Sequence, residues 1–343
     1  MASAIKNTRL FLYTLILSIT AGCDTIHEFP GGNPVDPTEI DIEISIKIDM
    51  AINSDTVFQT YATMLEGDYD IRYIVDIYET DESQPQSIGK RMKRIIKTEN
   101  SIISEGIYNL DDTITLPVKK YQIITWMDFV SKGSRSDKYY NTEDLQKISI
   151  LPQEGQYTGY NTTKDAFTAK IDMDLTPFRH QRFVHYETLV EVKRPFAIYQ
   201  IITTDIDEYI TYHQTLSYSS IQPSTTLFLY NLFFPTGYNA YLQAPDNFKT
   251  GIHYTYDIVD LIPEKEAILA SDYVFVEDDT FYTVDFEIFS AENKHINTIT
   301  GLKINLERNK MTILRSEFLT RDLNEGSVGI NDSFSDEIII PIN

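Results

Sequence analysis

The sequence predicts an all-β protein built from β-sandwiches with little helix. Short apolar segments separated by turn residues recur along most of the 343-residue chain, a pattern typical of many short strands. Aromatic residues make up 12% of the chain, and such side chains favour strands. Because a single hydrophobic core stops growing at about 250–300 residues, we expect two tandem sandwiches rather than one.

The first 22 residues have the layout of a secretory signal. Two basic residues precede the apolar stretch 10–17, and small residues lead up to Cys23. The stretch is roughly half as long as a membrane-spanning helix needs to be, so we expect residues 1–22 to be removed. Cys23 is the only thiol of the chain, and we predict that it carries a lipid. An ordinary signal peptide followed by an incidental cysteine is the alternative.

A polar, proline-rich stretch separates the cysteine from the first strand. Residues 23–39 contain Gly-Gly and three prolines without any alternation, so we expect a flexible, extended tether. From residue 40 onward apolar and polar residues alternate strictly, which predicts a strand with one buried and one wet face. The apolar positions of this strand are Ile40, Ile42, Ile44, Ile46, Ile48 and Met50.

The remaining strands follow with turn residues between them. We predict strands at 71–78, 91–98, 113–118, 121–130, 166–173, 186–192, 196–203, 226–234, 254–259, 273–276, 281–289 and 337–342. The pair 273–276 and 281–289 is expected to form a hairpin, and 262–270 a short helix. A change from a long apolar strand to a polar stretch predicts a domain boundary after residue 204, giving sandwiches at 40–204 and 205–343.

Charge and motif content argue against nucleic-acid binding and against most enzymatic functions. The chain has 51 acidic and 29 basic residues, and its net charge of −22 repels a phosphate backbone. The sequence contains no phosphate-binding loop, nucleophile elbow or paired-histidine motif, so we expect a non-enzymatic protein without a cofactor. The acidic runs 205–208 and 277–279 do not match the spacing of a calcium loop, and we expect them to be loop tips.

Several short segments together suggest a family. They are 72–78 (RYIVDIY), 139–145 (YYNTEDL), 165–167 (DAF), 192–197 (VKRPFA), 271–275 (SDYVF) and the closing part 305–320. In this order, and behind a lipoprotein-like N-terminus, they resemble the fimbrillin-type lipoproteins of Bacteroidales, the subunits of lipid-tethered type V pili. The resemblance covers most of the chain that follows Cys23.

The resemblance implies a fold, a location and a way of assembling. It implies two transthyretin-like, Greek-key sandwiches, a lipid-anchored place on the outer membrane, and adhesion to host or bacterial surface ligands. It also implies strand exchange with other fimbrial subunits, in which an inserted strand satisfies the open edge of a neighbour's sheet. The candidate exchange strands are the first strand, with Ile40, Ile42, Ile44, Ile46 and Ile48, and the C-terminal strand, with Ile338, Ile339, Ile340 and Ile342. For both, a permanent strand of one folded unit is the alternative.

The arginine content departs from the pattern that this resemblance implies. Polymerising members lose their first strand to a trypsin-like cut after an arginine, but here no arginine lies between Arg9 and Arg72. Because Arg72 lies in a predicted core strand, we expect the chain to keep its first strand and to act as an anchor or terminal subunit. The second function considered is that of a glycan- or ligand-binding surface lipoprotein that uses exposed tyrosines and Trp126.

Overall fold

The computed structural model of the chain describes residues 39–50, 64, 67–80, 88–100, 107–215, 222–261, 265–320 and, through their backbone, 336–341. These residues form strands arranged in five sheets, together with an α-helix of 10 residues. The predicted all-β fold of sandwich domains with little helix is confirmed. The predicted signal peptide, Cys23 and most of the predicted tether lie outside the described residues.

The elements are numbered in chain order. The first nine strands are β1 (Glu39–Asp49), β2 (Tyr69–Thr80), β3 (Ile88–Glu99), β4 (Ile107–Pro117), β5 (Lys120–Ser131), β6 (Tyr140–Asn141), β7 (Ile148–Ile150), β8 (Ala166–Asp174) and β9 (Phe183–Glu191). Two 3₁₀ turns lie among them at Thr162–Lys164 and Thr176–Phe178. Then follow β10 (Phe196–Thr203), the helix α1 (Ile206–Thr215), β11 (Pro223–Tyr230), β12 (Phe234–Asn239), β13 (Ala244–Lys249) and β14 (His253–Asp257). The last are β15 (Val259–Leu261), β16 (Glu266–Phe275), β17 (Asp279–Ser290), β18 (His295–Glu307), β19 (Lys310–Ser316) and β20 (Asp336–Pro341).

The first sandwich packs a three-stranded sheet on a four-stranded one. Sheet I has the order β4-β1-β9, and sheet II has the order β3-β2-β5-β8. Their shared core contains Ile42, Ile44 and Ile46 from β1 and Ile77 and Ile123 from sheet II, all fully buried. Because β1 alternates strictly, its isoleucines all point into this core while its polar residues point outward.

The second sandwich packs a five-stranded sheet on a four-stranded one. Sheet III has the order β15-β16-β10-β19-β20, and sheet IV has the order β14-β11-β17-β18. The core between them includes Val284, Phe286 and Ile288, which alternate along β17.

A third core joins the two sandwiches. Sheet V, with the order β13-β12-β7-β6, contributes Tyr140 and Tyr238 to a cluster with Trp126 on sheet II and with Phe196 and Phe275 on sheet III. Sheets II and III are therefore buried on both faces where they meet this cluster. This explains why β2, β5, β10 and β16 are nearly continuous apolar runs without a period of two.

The structure corrects the predicted boundary between the sandwiches. Strand β10 lies within the predicted domain 40–204, but it pairs antiparallel with β16 and parallel with β19. It therefore belongs to the second sandwich, and the change of sheet comes before Phe196. The polar stretch after residue 204, which suggested the boundary, begins instead with the helix α1.

Two local predictions are also wrong. A helix was expected at 262–270, but residues 266–275 form strand β16. Their apolar side chains are buried on both sides of sheet III. Strands β16 and β17 do not form a hairpin, since β16 pairs with β10 and β15 while β17 pairs with β11 and β18. The acidic run 277–279 carries the chain from one sheet of the sandwich to the other.

Candidate assembly strands

The predicted first exchange strand, β1, lies in the middle of its sheet. It pairs antiparallel with β4 from Glu39 to Asp49 and parallel with β9 from Asp41 to Asp49. Both edges of its backbone therefore have a hydrogen-bonded neighbour. Its five isoleucines, Ile40, Ile42, Ile44, Ile46 and Ile48, are at most 3% exposed.

The wet face of β1 is also held by its neighbours. Thr115 of β4 donates a hydrogen bond of 2.7 Å to Asp41, and Lys47 forms an ion pair with Glu187 of β9. These contacts are exposed, so each contributes little to stability. They show that both flanking strands match β1 in register on its polar side as well as on its apolar side.

Burial makes β1 hard to withdraw. Burying an isoleucine stabilises the fold by about 1.5–3 kcal/mol, so the five together contribute about 8–15 kcal/mol. That sum is as large as the net stability of a typical domain, about 5–15 kcal/mol. Strand β1 therefore leaves its place only if another strand takes it, and its departure would open a slot between β4 and β9.

The C-terminal strand, β20, has the opposite position. It is the last strand of sheet III and pairs only with β19 among the described residues, antiparallel from Asp336 to Pro341. Ile338, Ile339 and Ile340 lie opposite Ile313, Thr312 and Met311 in this register. The fourth predicted residue, Ile342, lies outside the described residues. One edge of the β20 backbone is thus unpaired within the part of the chain that the structure describes.

The chain is anchored where it leaves β19. The buried carboxylate of Asp205 accepts the backbone N–H groups of Leu319 (3.1 Å) and Thr320 (2.7 Å), and also the Thr320 hydroxyl. Phe318 is fully buried in the second core, and its carbonyl accepts a hydrogen bond from Asn297. Residues 318–320 therefore stay in place whatever β20 does.

Arg72, the first arginine after the predicted signal, lies buried in β2. Its guanidinium donates to both carboxylate oxygens of Asp128 (2.9 and 2.7 Å) and also pairs with Asp137 (2.8 Å). Burial opposes the charge of Arg72, but these two carboxylates outweigh burial and raise its pKa. Arg72 is only 2% exposed. The peptide bond that follows it is therefore not accessible to a protease in the folded protein.

The structure removes Trp126 from the candidate ligand-binding residues. Its side chain is fully buried in the third core, where its ring nitrogen donates to Asp128 at 3.2 Å. Nearly all the tyrosines near it are buried as well, including Tyr139 and Tyr140. The prediction that Trp126 is part of an exposed aromatic platform is wrong.

Neither a metal centre nor a membrane-crossing helix is found in the described ranges. No group of three or more His, Cys, Asp or Glu side chains there is placed to hold a metal ion. No helix within the same residues has the length and apolar character needed to cross a membrane. The acidic run 205–208 is the start of α1 rather than a loop tip, with Asp205 buried and hydrogen-bonded.

Comparison with known families decides where the chain belongs. The profile of DUF6562, described as a family of unknown function, matches residues 33–343. The chain belongs to this family. No curated protein matches it.

Several solved structures from Bacteroidales are similar to this DUF6562 chain. A candidate polysaccharide-binding protein of family DUF1812 from Bacteroides thetaiotaomicron is 13% identical, with a TM-score of 0.45 over 81% of this chain and 93% of that one. The fimbrial anchor protein Mfa2 from Porphyromonas gingivalis is 7% identical, with a TM-score of 0.43 over 80% and 90%. A candidate adhesin from Bacteroides ovatus is 11% identical, with a TM-score of 0.41 over 76% and 78%.

A buried polar network that no sequence motif predicts lies where the two halves of the DUF6562 chain meet. Asp272 of β16 is fully buried and accepts hydrogen bonds from the hydroxyls of Tyr157 (2.7 Å) and Tyr230 (2.8 Å). Lys164, from the segment before β8, is nearly buried beside it and donates to the Gly159 carbonyl at 2.8 Å.

Burial changes the acidity of both charged groups in this network. It raises the pKa of Asp272 to about 6, although Lys164 and the tyrosine hydroxyls oppose the shift. It lowers the pKa of Lys164, against the field of Asp272. The signal in the sequence was a single charged residue inside the apolar run of β16, and a lone acid of that kind does not reveal its partners. The network ties sheet III to the segment that leads into the first sandwich.

Proposed function

We propose that the protein is a non-enzymatic, lipid-anchored component of a cell-surface fimbrium that joins other subunits by exchange of β20. The observation that carries this proposal is the position of β20. It is the C-terminal strand, it lies at the edge of sheet III, and it pairs with β19 alone among the described residues.

Strand exchange needs a segment that can leave one sheet and complete another. Three consecutive isoleucines, Ile338 to Ile340, supply apolar side chains to both faces of whichever sheet contains them. A strand of this kind gains main-chain hydrogen bonds and side-chain burial together when it enters an open edge. The anchored residues 318–320 supply a fixed base from which β20 departs.

The geometry of β1 favours an anchor or terminal position over a shaft position. Strand β1 is held on both edges, and the buried Arg72 is shielded from the cut that frees the first strand in polymerising fimbrillins. If Cys23 is lipidated, a chain that keeps β1 also keeps its membrane attachment. Such a chain fits the base of a fimbrium, with adhesion carried by the assembled fibre.

A reversible lock on β20 tests the proposal. Thr312 and Ile339 lie opposite each other across the β19–β20 pair, so T312C/I339C, in a chain whose own Cys23 is lipidated, places two thiols for a disulfide. We expect the oxidised variant to fold but to be absent from fimbriae in immunogold electron microscopy. Reduction restores its incorporation.

The matched control is D260C/A267C, which bridges β15 and β16 at the other edge of sheet III. We expect this variant to be incorporated under both conditions. Incorporation of the oxidised T312C/I339C variant at the level of the control contradicts exchange of β20.

A further inference from the structure

We propose that β3 and the cleft beside it form a docking site for an acidic polypeptide segment in extended conformation. This site lies in the first sandwich and does not rest on the exchange of β20.

Strand β3 concentrates positive charge in a chain that is otherwise acidic. Five of the 29 basic residues lie within residues 90–97, and residues 83–98 contain no acid. The five are Lys90, Arg91, Lys93, Arg94 and Lys97. Because the net charge of the chain is −22, this strand is a local positive site on a negative surface.

One side of the β3 main chain is unpaired in the part of the chain that the structure describes. Strand β3 is the outer strand of sheet II and pairs only with β2 within the described ranges. Lys93 and Arg94 lie opposite Ile77 and Asp76 of β2, so neighbouring cations point to opposite faces of the sheet. A strand added at this edge therefore meets positive charge on both of its faces.

Two arginines of β3 hold the wall of a cleft in place. Arg91 and Arg94 both donate to the Glu143 carbonyl, at 2.9 and 2.7 Å, and both lie beside the buried carboxylate of Asp76. One negative charge thus faces two positive ones, which leaves a surplus of positive charge at this edge. The contacts fix the loop between β6 and β7 against β3.

The cleft has a volume of 680 Å³, within the range of ligand sites in proteins. Lys90 of β3 and Lys147 of the loop both line this cleft. Glu143 and Asp144 lie on the same loop wall, so the charge in the cleft is mixed. The lysines of β3 itself supply the excess of positive over negative charge.

An extended acidic peptide suits this site better than the other anionic partners. Such a peptide can form hydrogen bonds with the unpaired main chain of β3 and ion pairs with its cations. An anionic polysaccharide can form only the ion pairs. A second copy of β3 is excluded, because each edge would bring five cations to the contact. Lysines at a sheet edge keep other strands away, but that protection does not act against a strand rich in Asp and Glu.

Fluorescence anisotropy with the mature chain tests the proposal. The probe is a labelled peptide as long as β3, 12 residues, that repeats Glu-Glu-Val and so carries carboxylates on both faces of an extended strand. We expect saturable binding that weakens with added salt and that protects the amides of β3 from hydrogen exchange. In the variant K90E/K93E/K97E, binding should weaken about tenfold or more, since three favourable cross-strand pairs become repulsive.

The control K193E/K249E/K294E changes the net charge by the same amount at three exposed lysines outside β3, and it should bind as the wild type does. Thermal melts of both variants check that they fold. The proposal is overturned if the peptide does not bind, or if the β3 variant binds as well as the control. It is also overturned if a proline-interrupted peptide or polygalacturonate binds as tightly, because a simple polyanion site would then suffice.

Discussion

Strands β1 and β20 are both rich in isoleucine, yet they occupy opposite positions in their sheets. Strand β1 has a hydrogen-bonded neighbour on each side and buries its five isoleucines in the first core. Strand β20 has one neighbour among the residues that the structure describes, and it lies at the end of sheet III. The comparison shows that apolar sequence alone does not make a strand exchangeable. The number of backbone edges already paired decides how much must be broken before the strand leaves.

Deletion of β1 should have the largest effect. Without residues 39–50, sheet I loses its central strand and the first core loses all the isoleucines of β1, so we expect no cooperative unfolding transition from the first sandwich. Far-UV circular dichroism and hydrogen exchange measure this loss. Conservative I44V is the control and should cost only about 0.5–1.5 kcal/mol. A deletion variant that melts as the full chain does would make β1 a removable plug.

Loss of the Arg72 guanidinium should be the next largest effect. R72M leaves Asp128 buried without its bidentate partner, and we expect a loss of about 3–5 kcal/mol in the free energy of unfolding. Urea titration measures it. The control R91M removes a side chain that is 37% exposed and should cost far less.

Limited proteolysis measures whether the peptide bond after Arg72 is accessible in the folded protein. In limited digestion with an arginine-specific protease, cuts should come first after the exposed residues Arg179 and Arg182. Early cleavage after Arg72 in the folded protein would contradict the proposal that β1 is retained.

Asp272, in the same sheet as β20, should produce a smaller, pH-dependent effect. Its pKa is about 6 in the folded protein and 3.8 in the unfolded chain, so the folded state binds the proton more tightly. The resulting stabilisation is complete below pH 3.8 and is lost as the pH rises to about 6. Over that window it amounts to about 3 kcal/mol, from about 1.4 kcal/mol for each pKa unit.

We therefore expect the difference in unfolding free energy between D272N and wild type to change across pH 4–6, with wild type losing stability as the pH rises. Urea titrations at a series of pH values measure this difference. Parallel pH curves for the two proteins would show that Asp272 does not titrate in this range.

Truncation of β20 should have the smallest effect on stability. Removing residues 336–343 breaks one ladder at a sheet edge and leaves residues 318–320 anchored on Asp205, so we expect the Tm to fall by about 5 °C or less. Differential scanning calorimetry measures the change. A fall as large as that caused by the β1 deletion would show that β20 is an integral strand of its own sheet.

Local periodicity predicted the strands that have one buried face. The alternating residues of β1 and β17 indicate both the strand and the face that it buries. The existence of β2, β5 and β10 was also predictable, because apolar runs of their length are typical of strands buried on both sides.

Pairing across the chain was not predictable. Pro263 and the acids that follow it resemble a helix start, but burial between sheet IV and the third core makes β16 a strand. The same third core determines that Trp126 is buried and that β10 joins β16. The helix α1 did leave a signal, since Asp207 and Glu208 stand in its first turn.

For the candidate exchange strands, sequence predicted the residues but not their positions in the sheets. Both ends have the isoleucines that exchange requires, and only the sheet order shows that β1 is central and β20 peripheral. The basic residues of β3 were equally visible in the sequence. Their place at a sheet edge depends on which strands pair with β2, and local sequence does not determine that pairing.

The double pairing of β1 has a mechanical consequence. A pull directed from the amino end along the axis of β1 loads the ladders to β4 and β9 in shear, so many hydrogen bonds resist at once. A pull that peels an outer strand away breaks its bonds one after another. A protein held at its amino end in flowing fluid would thus resist extraction through β1, and its failure under tension would be set by an unfolding rate rather than by equilibrium stability.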